Sequence, residues 1–143
     1  MKVCKTLAEV GEQDADLLVS AILHDVLEDT DTSSNELNQL FGKTVASIVE
    51  EVSDNMALSE IERKTLQITK APSLSRKAKL IKIADKLCNI NDLLNYPINW
   101  STERKLKYVN WSYEVYNGCK GENNLLDNAF TSTCKNAKNI FSH

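Results

Sequence analysis

The chain reads as an all-α protein built as a helical bundle, and three observations predict the helical class. Apolar residues recur at three- and four-residue steps along nearly the whole length. Only 4 Gly and 2 Pro interrupt 143 residues. Several apolar runs also open on an Asp or Ser suited to capping a helix.

The elements follow in order. Over 14–27, Leu17, Leu18, Ala21, Ile22 and Val26 keep a helical step behind Asp14 as N-cap. The polar stretch 29–34 breaks the pattern. Ser34 with Glu36 and Leu37 starts a short helix through Phe41, which Gly42 stops. Val45, Ile48, Val49 and Val52 are β-branched or aliphatic, but their spacing predicts a helix over 44–52. A helix over 59–70 turns Ile61, Leu66 and Ile68 inward, and Ala71-Pro72 ends it because proline disfavours helix in the residue before it. Ser75 opens a long amphipathic helix to about Leu94, followed by Pro97. Ser101 caps a helix to about Tyr116, broken by Gly118 and Gly121, and a last helix runs over 123–140. No repeat or linker divides the chain, so a single domain over 1–143 is expected.

At this length roughly 68–70% of the unfolded surface can be buried. A net charge of −3 disfavours a general nucleic-acid binder and leaves room for a local basic patch that meets an anionic small molecule. Cys4, Cys88, Cys119 and Cys134 show no C-x-x-C spacing, so neither a zinc knuckle nor a redox motif is readable. There is no apolar run long enough to span a membrane and no signal peptide. Free thiols in a cytoplasmic protein are the expectation.

The informative segment is Ala21-Ile-Leu-His-Asp-Val-Leu-Glu-Asp-Thr-Asp-Thr32. His24 and Asp25 side by side where an apolar helix ends are costly to bury without a counter-charge. By themselves they fit a helix-end histidine beside a solvated carboxylate equally well. Asp25, Glu28 and Asp29 fall at i, i+3 and i+4, so a continuing helix puts three like charges on one face. A divalent ion or cationic partner relieves that repulsion; a solvated loop is the plainer alternative. Asp85 interrupts the apolar stripe of Ile81, Ala84, Leu87 and Cys88, and such a carboxylate is either paired, with Lys82 or Lys86, or a metal ligand. One His with two carboxylates suits a borderline-to-hard divalent ion such as Mn²⁺, with Zn²⁺ or Fe²⁺ as alternatives.

These residues resemble the HD-domain phosphohydrolases, and within them the small alarmone hydrolases of the metazoan SpoT-homologue type and the hydrolase domain of Rel/Spo enzymes. The likeness covers about residues 11–125. It rests on the HD-x-x-ED-T element at 24–30, Phe41-Gly42, 48–54, Glu62-Arg-Lys64, Ala71-Pro72, Ile83-Ala-Asp-Lys-Leu-Cys-Asn89, Trp100-Ser101, Arg104, Tyr108 and Trp111. The resemblance implies an all-α bundle around Mn²⁺, with His24, Asp25 and Asp85 as metal ligands. It implies Glu28 and Asp29 as the acidic pair acting on the attacking water, and Asn89, Arg104 and Tyr108 as contacts to the nucleotide. The implied reaction removes the 3′-pyrophosphate of guanosine tetra- or pentaphosphate. A divalent ion acidifies water and polarises a phosphoryl oxygen, while Glu28, crowded by Asp25 and Asp29, is expected to titrate high and carry a proton. Arg104 offers a planar donor fork for phosphate.

The family's first metal-ligating histidine lies upstream of the HD pair, at a position that precedes Met1 here. The chain is therefore expected to be N-terminally short relative to the family, as a fragment or as a non-catalytic nucleotide-binding relative, or with His143 or a second chain supplying the ligand. A phosphohydrolase of another nucleotide is a further alternative. Asp54-Asn55-Met56 stands where related hydrolases have a second acid and a lysine. Leu7, Val10 and the apolar face of 14–27 are expected to be partly bare, inviting self-association into a homo-oligomer. Trp100 and Trp111 read as packing residues, and Lys77, Lys79 and Lys82 as a solvated face.

Overall fold

The computed structural model describes residues 2–142, and those residues form nine α-helices and one 3-10 turn, with no strand. In order these are α1 (Lys2–Glu9), α2 (Ala15–Ile22), α3 (Val26–Asp29), α4 (Ser34–Phe41), α5 (Lys43–Val52), α6 (Glu60–Lys70), the 3-10 turn Ala71–Ser73, α7 (Arg76–Asn95), α8 (Thr102–Cys119) and α9 (Asn124–Phe141). The expected all-α class is what the chain adopts. Among the described residues no helix is long and apolar enough to cross a membrane.

Polar caps set the helix starts. Asp14, Ser59, Ser75, Ser101 and Asn123 each accept a backbone N–H three residues on, satisfying a donor the helix itself leaves unpaired. Ser33 does the same for α4 and forms a reciprocal box with Glu36. Gly42, at φ +91°, joins α4 to α5 in a conformation that L side chains rarely adopt.

α7 is the axis. It packs against α1, α2, α5, α8 and α9, and half of its twenty residues are buried. The expected amphipathic stripe is thus replaced by burial on nearly every side through the run 80–87. That run carries Lys82 and Lys86 inside with it. A smaller apolar cluster of Leu37, Val45, Ala46 and Val49 lies between α4 and α5, with Val19, Leu23, Val26 and Leu27 packed against it.

Four local expectations are corrected. The N-terminal segment forms α1, which packs on α7 and α2, so Leu7 is fully buried and Val10 packs against the core. Ile61 is exposed in the first turn of α6, a helix that buries no residue fully, and Leu66 and Ile68 farther along it are only half-buried. Lys82 is buried instead of forming part of a solvated face. The helix expected over 14–27 stops at Ile22 and resumes as α3. His24 explains that stop: its Nδ1 lies 2.8 Å from the Ala21 carbonyl, the acceptor that the backbone N–H of residue 25 takes in a continuous helix. His143 lies outside the described residues.

Candidate active site

The break between α2 and α3 places His24 against Asp25 and Asp85. A carbonyl only accepts, so His24 Nδ1 carries the proton donated to Ala21. Nε2 then faces Asp25 Oδ2 at 3.1 Å and Asp85 Oδ1 at 3.3 Å. A bare nitrogen lone pair between two carboxylates is repulsive, so this position requires either a second proton or a cation. Burial opposes charging the ring, but the bonds to Asp25 and Asp85 outweigh it and hold the His24 pKa at about 10. Asp85 feels the reverse: burial disfavours its charge, yet His24 and the nearby lysines keep its carboxyl below the ordinary range.

The donor set suits a divalent ion. Metal bonds of about 2.0–2.2 Å place adjacent ligand atoms roughly 3 Å apart, close to the separations from Nε2 to the two carboxylates. Among the described residues no group of three or more His, Cys, Asp or Glu side chains is already spaced as a metal cage; the imidazole is in direct contact with both acids instead. His24, Asp25 and Asp85 would hold such an ion, with the cation standing in place of the Nε2 proton.

Glu28 lines the same pocket, on the next turn. The backbone N–H of Asp54 donates to Glu28 Oε2 at 2.6 Å. Burial raises the Glu28 pKa above the ordinary glutamate value; the Asp54 N–H works against that, while the charges of Asp54 and Asp25 add to it. The direction expected from the acid cluster therefore holds, with burial as its first cause. Asp54 reaches this place because Lys82 Nζ donates to the Val52 carbonyl at 2.8 Å, taking up an acceptor at the C-terminal end of α5. Asp29 does not join the pocket. It is exposed, and its carboxylate makes no hydrogen bond or ion pair with a described residue.

A second layer ties α6 to this centre. Gln67 Nε2 donates to both Asp54 oxygens at 3.1 and 2.9 Å, and Lys86 Nζ donates to Gln67 Oε1 at 2.9 Å. Lys86 also stands 3.8 Å from Asp85 Oδ2, which is the lysine pairing foreseen for that carboxylate. Asp54, Gln67, Lys82 and Lys86 are the site residues that sequence reasoning did not assign. The readable signal was two lysines four residues apart inside an apolar run, on either side of Asp85.

Beyond Lys86 the wall becomes aromatic. Asn89 Nδ2 donates to Tyr108 Oη at 2.9 Å, and the Tyr108 ring lies 5.9 Å from Trp100 and 5.6 Å from Trp111. Burial and the charge of Asp85 push the Tyr108 phenol up to about 12, the Asn89 bond pulling the other way. Trp111 Nε1 donates to the Lys64 carbonyl, so it packs α8 on α6 as expected. Arg104 lies over the Trp100 ring at 3.9 Å. Arg104 and Tyr108 line one cavity of about 350 Å³, and Asn89 borders the next with Tyr108 and Trp100.

A helical bundle that brings a His-Asp pair and a distant Asp together at its centre is the arrangement of an HD domain. The HD-domain family model matches residues 1–117, and the chain belongs to that family. It is 46% identical over 120 residues to the guanosine-3′,5′-bis(diphosphate) 3′-pyrophosphohydrolase MESH1 of Xenopus tropicalis, covering 83% of this chain and 67% of that protein. The human MESH1 is 44% identical over 122 residues, covering 85% of this chain and 68% of the relative. Among solved structures, a metazoan ortholog of SpoT described as hydrolysing ppGpp and acting in starvation responses superposes with a TM-score of 0.90. Its identity is 40%, over 94% of this chain and 77% of that one. A Listeria monocytogenes protein, lmo0812, shares the fold at a TM-score of 0.80 and 22% identity, over 96% of this chain and 93% of its own.

Proposed function

We propose that this chain is a divalent-metal-dependent hydrolase that removes the 3′-pyrophosphate of guanosine tetra- or pentaphosphate, leaving GDP or GTP. The observation that carries the reading is His24 Nε2 held between carboxylates of two separate segments beside a high-titrating Glu28. It occurs in a chain closely similar to proteins named for that reaction. His24, Asp25 and Asp85 are the ligands in this reading, and their mixed nitrogen and carboxylate set favours Mn²⁺. When bound, the ion supplies Lewis-acid polarisation of a phosphoryl oxygen and acidification of water.

The chain's own residues do the rest. Glu28 has one oxygen fixed by the Asp54 N–H, and its other oxygen takes a proton from the attacking water and returns it to the leaving oxygen. A carboxyl held above its ordinary pKa is suited to that exchange near neutrality. Asp29, the other acid of the expected pair, stands exposed outside the pocket. The Asn89–Tyr108 pair orients the nucleoside, and Arg104, kept flat by Trp100, meets phosphate oxygens. The four free thiols support a cytoplasmic setting.

The test is release of pyrophosphate and GDP from guanosine tetraphosphate with added Mn²⁺, beside Glu28→Ala and the double variant Glu28→Ala/Asp29→Ala. We expect turnover in the parent and a loss of roughly 10²-fold or more without the Glu28 carboxyl. A folded parent protein that binds the nucleotide but releases no pyrophosphate with Mn²⁺, Mg²⁺ or Zn²⁺ overturns the reading in favour of a nucleotide-binding module. Turnover that survives Glu28→Ala removes the proton-carrying role.

A further inference from the structure

Arg63, on the inner edge of α6, has a buried Nε with no hydrogen-bond partner. Its Nη1 reaches only the thioether of Met56, at 3.3 Å, and sulfur of that kind is a weak acceptor. Hence the guanidinium makes no hydrogen bond to an oxygen of any described residue. A buried charged donor left in that state costs free energy, so an unpaired guanidinium N–H calls for a ligand acceptor. Arg63 lines the 350 Å³ cavity between α6 and α8 that also holds Arg104. The Arg104 side chain likewise makes no hydrogen bond or ion pair with a described residue and is held flat on Trp100. Five basic side chains line this cavity against two acidic ones. Two planar forks without oxygen partners in a basic cavity match the oxygens of a phosphate chain.

We propose that Arg63 binds the phosphate chain that is not cleaved, and thereby selects nucleotides that carry phosphates at both the 3′ and 5′ positions. This rests on the reaction proposed above for which chain is cut. The placement follows from shared walls. The cavity meets the His24 pocket at Asp54, Gln67 and Lys86, and meets the Asn89 pocket at Trp100 and Tyr108. A nucleoside against Asn89 and Tyr108 with its 3′ chain at His24 brings its sugar and 5′ chain through the space between. Arg63 borders that middle space and not the His24 pocket. It therefore acts in binding and specificity rather than on the reacting atoms.

The experiment is calorimetric binding in a Glu28→Ala background with Mn²⁺, so that nothing is consumed. The two probes are guanosine tetraphosphate and guanosine 3′-diphosphate, which lacks the 5′ chain. Arg63→Gln is expected to weaken guanosine tetraphosphate binding roughly tenfold or more, the weight of a charge-assisted fork. It should leave the 3′-diphosphate unchanged, and Arg63→Lys should fall between. Because the fork bonds no protein oxygen, the Tm of the unliganded Arg63→Gln protein should hold or rise. Equal losses for the two nucleotides, no loss for either, or a fall in unliganded Tm with parallel losses overturns the proposal. Failure of the hydrolase reading looks different: the parent binds both probes and cleaves neither, while the contrast between the probes is still measured.

Discussion

The ammonium of Lys86 is enclosed by three kinds of partner: the Gln67 carbonyl oxygen at 2.9 Å, the Trp111 ring at 4.3 Å from its centre, and Asp85 at 3.8 Å. Burial pulls its pKa down to about 8, against the charge of Asp85. Gln67 is what makes this arrangement single-valued. Lysine only donates and a carboxylate only accepts, so the amide has one orientation that satisfies both Lys86 and Asp54. Gln67→Leu keeps similar bulk, but strips Lys86 of its hydrogen bond and Asp54 of two. We expect a loss of roughly 2–4 kcal/mol in urea unfolding, because a half-satisfied buried network costs more than the bonds removed. An unchanged midpoint would show that water replaces the amide. The resemblance touched Asp54 and Gln67 without giving either a role, because both are ordinary residue types whose role exists only where α5, α6 and α7 meet. His24 and Asp85 were legible from the motif, since a histidine and an acid set in apolar runs already demand a partner.

Helix ends and helix contacts carry their own consequences. Arg76 at the start of α7 forms a two-pronged pair with Glu12 at 3.2 and 3.0 Å, and Asn123, the cap of α9, donates to Glu12 at 2.8 Å and to the Val10 carbonyl at 3.2 Å. These bonds fasten the α1–α2 connection to two helices. Arg76 and Asn123 lower the Glu12 pKa below its ordinary 4.5, burial opposing them in part. A depressed carboxylate stabilises fully above its unfolded pKa, and that stabilisation is lost as pH falls through the folded value. Glu12→Gln should therefore cost about 1 kcal/mol at neutral pH, a figure kept small because Arg76 is half-exposed. Chemical unfolding should show the gap from the parent closing as pH falls below about 4.5. A gap that persists at pH 3 would mean that the amide, not the charge, is at fault. Between α8 and the 3-10 turn the chains touch: a Cβ on Gly118 meets the Ala71 Cβ at 2.6 Å and the Pro72 Cδ at 3.0 Å. Gly118→Ala should lower stability by about 1–3 kcal/mol in the same assay. Sequence reading took Gly118 as a helix breaker, yet α8 runs through it to Cys119, because its lack of a side chain serves packing. The caps at Asp14, Ser75 and Ser101 were legible since they act within three residues. The stop after Ile22 was not, since it depends on which carbonyl the His24 ring selects.

Across the whole molecule, α7 is both the centre of the core and the carrier of Lys82, Asp85, Lys86 and Asn89. Packing and site geometry therefore share one element, and damage to the core reaches the site through it. α1 contributes Val3 and Leu7 to that core. Leu7→Ala should destabilise the protein by roughly 2–5 kcal/mol, a cavity cost; a loss below about 1 kcal/mol in thermal unfolding would indicate that α1 is only loosely seated. The all-α class and the order of helices were legible from periodicity. The docking of α1 was not, because Val3, Leu7 and Val10 make too short an apolar face to announce what covers it. The aromatic wall has an optical consequence. The chain contains two tryptophans, and both line the cavity that holds Arg63 and Arg104. One indole lies beneath the Arg104 guanidinium and the other beneath the Lys86 ammonium. Intrinsic tryptophan emission from this protein is consequently a local signal, and a nucleotide that draws either cation off its ring changes the colour and yield of all of it, without a label.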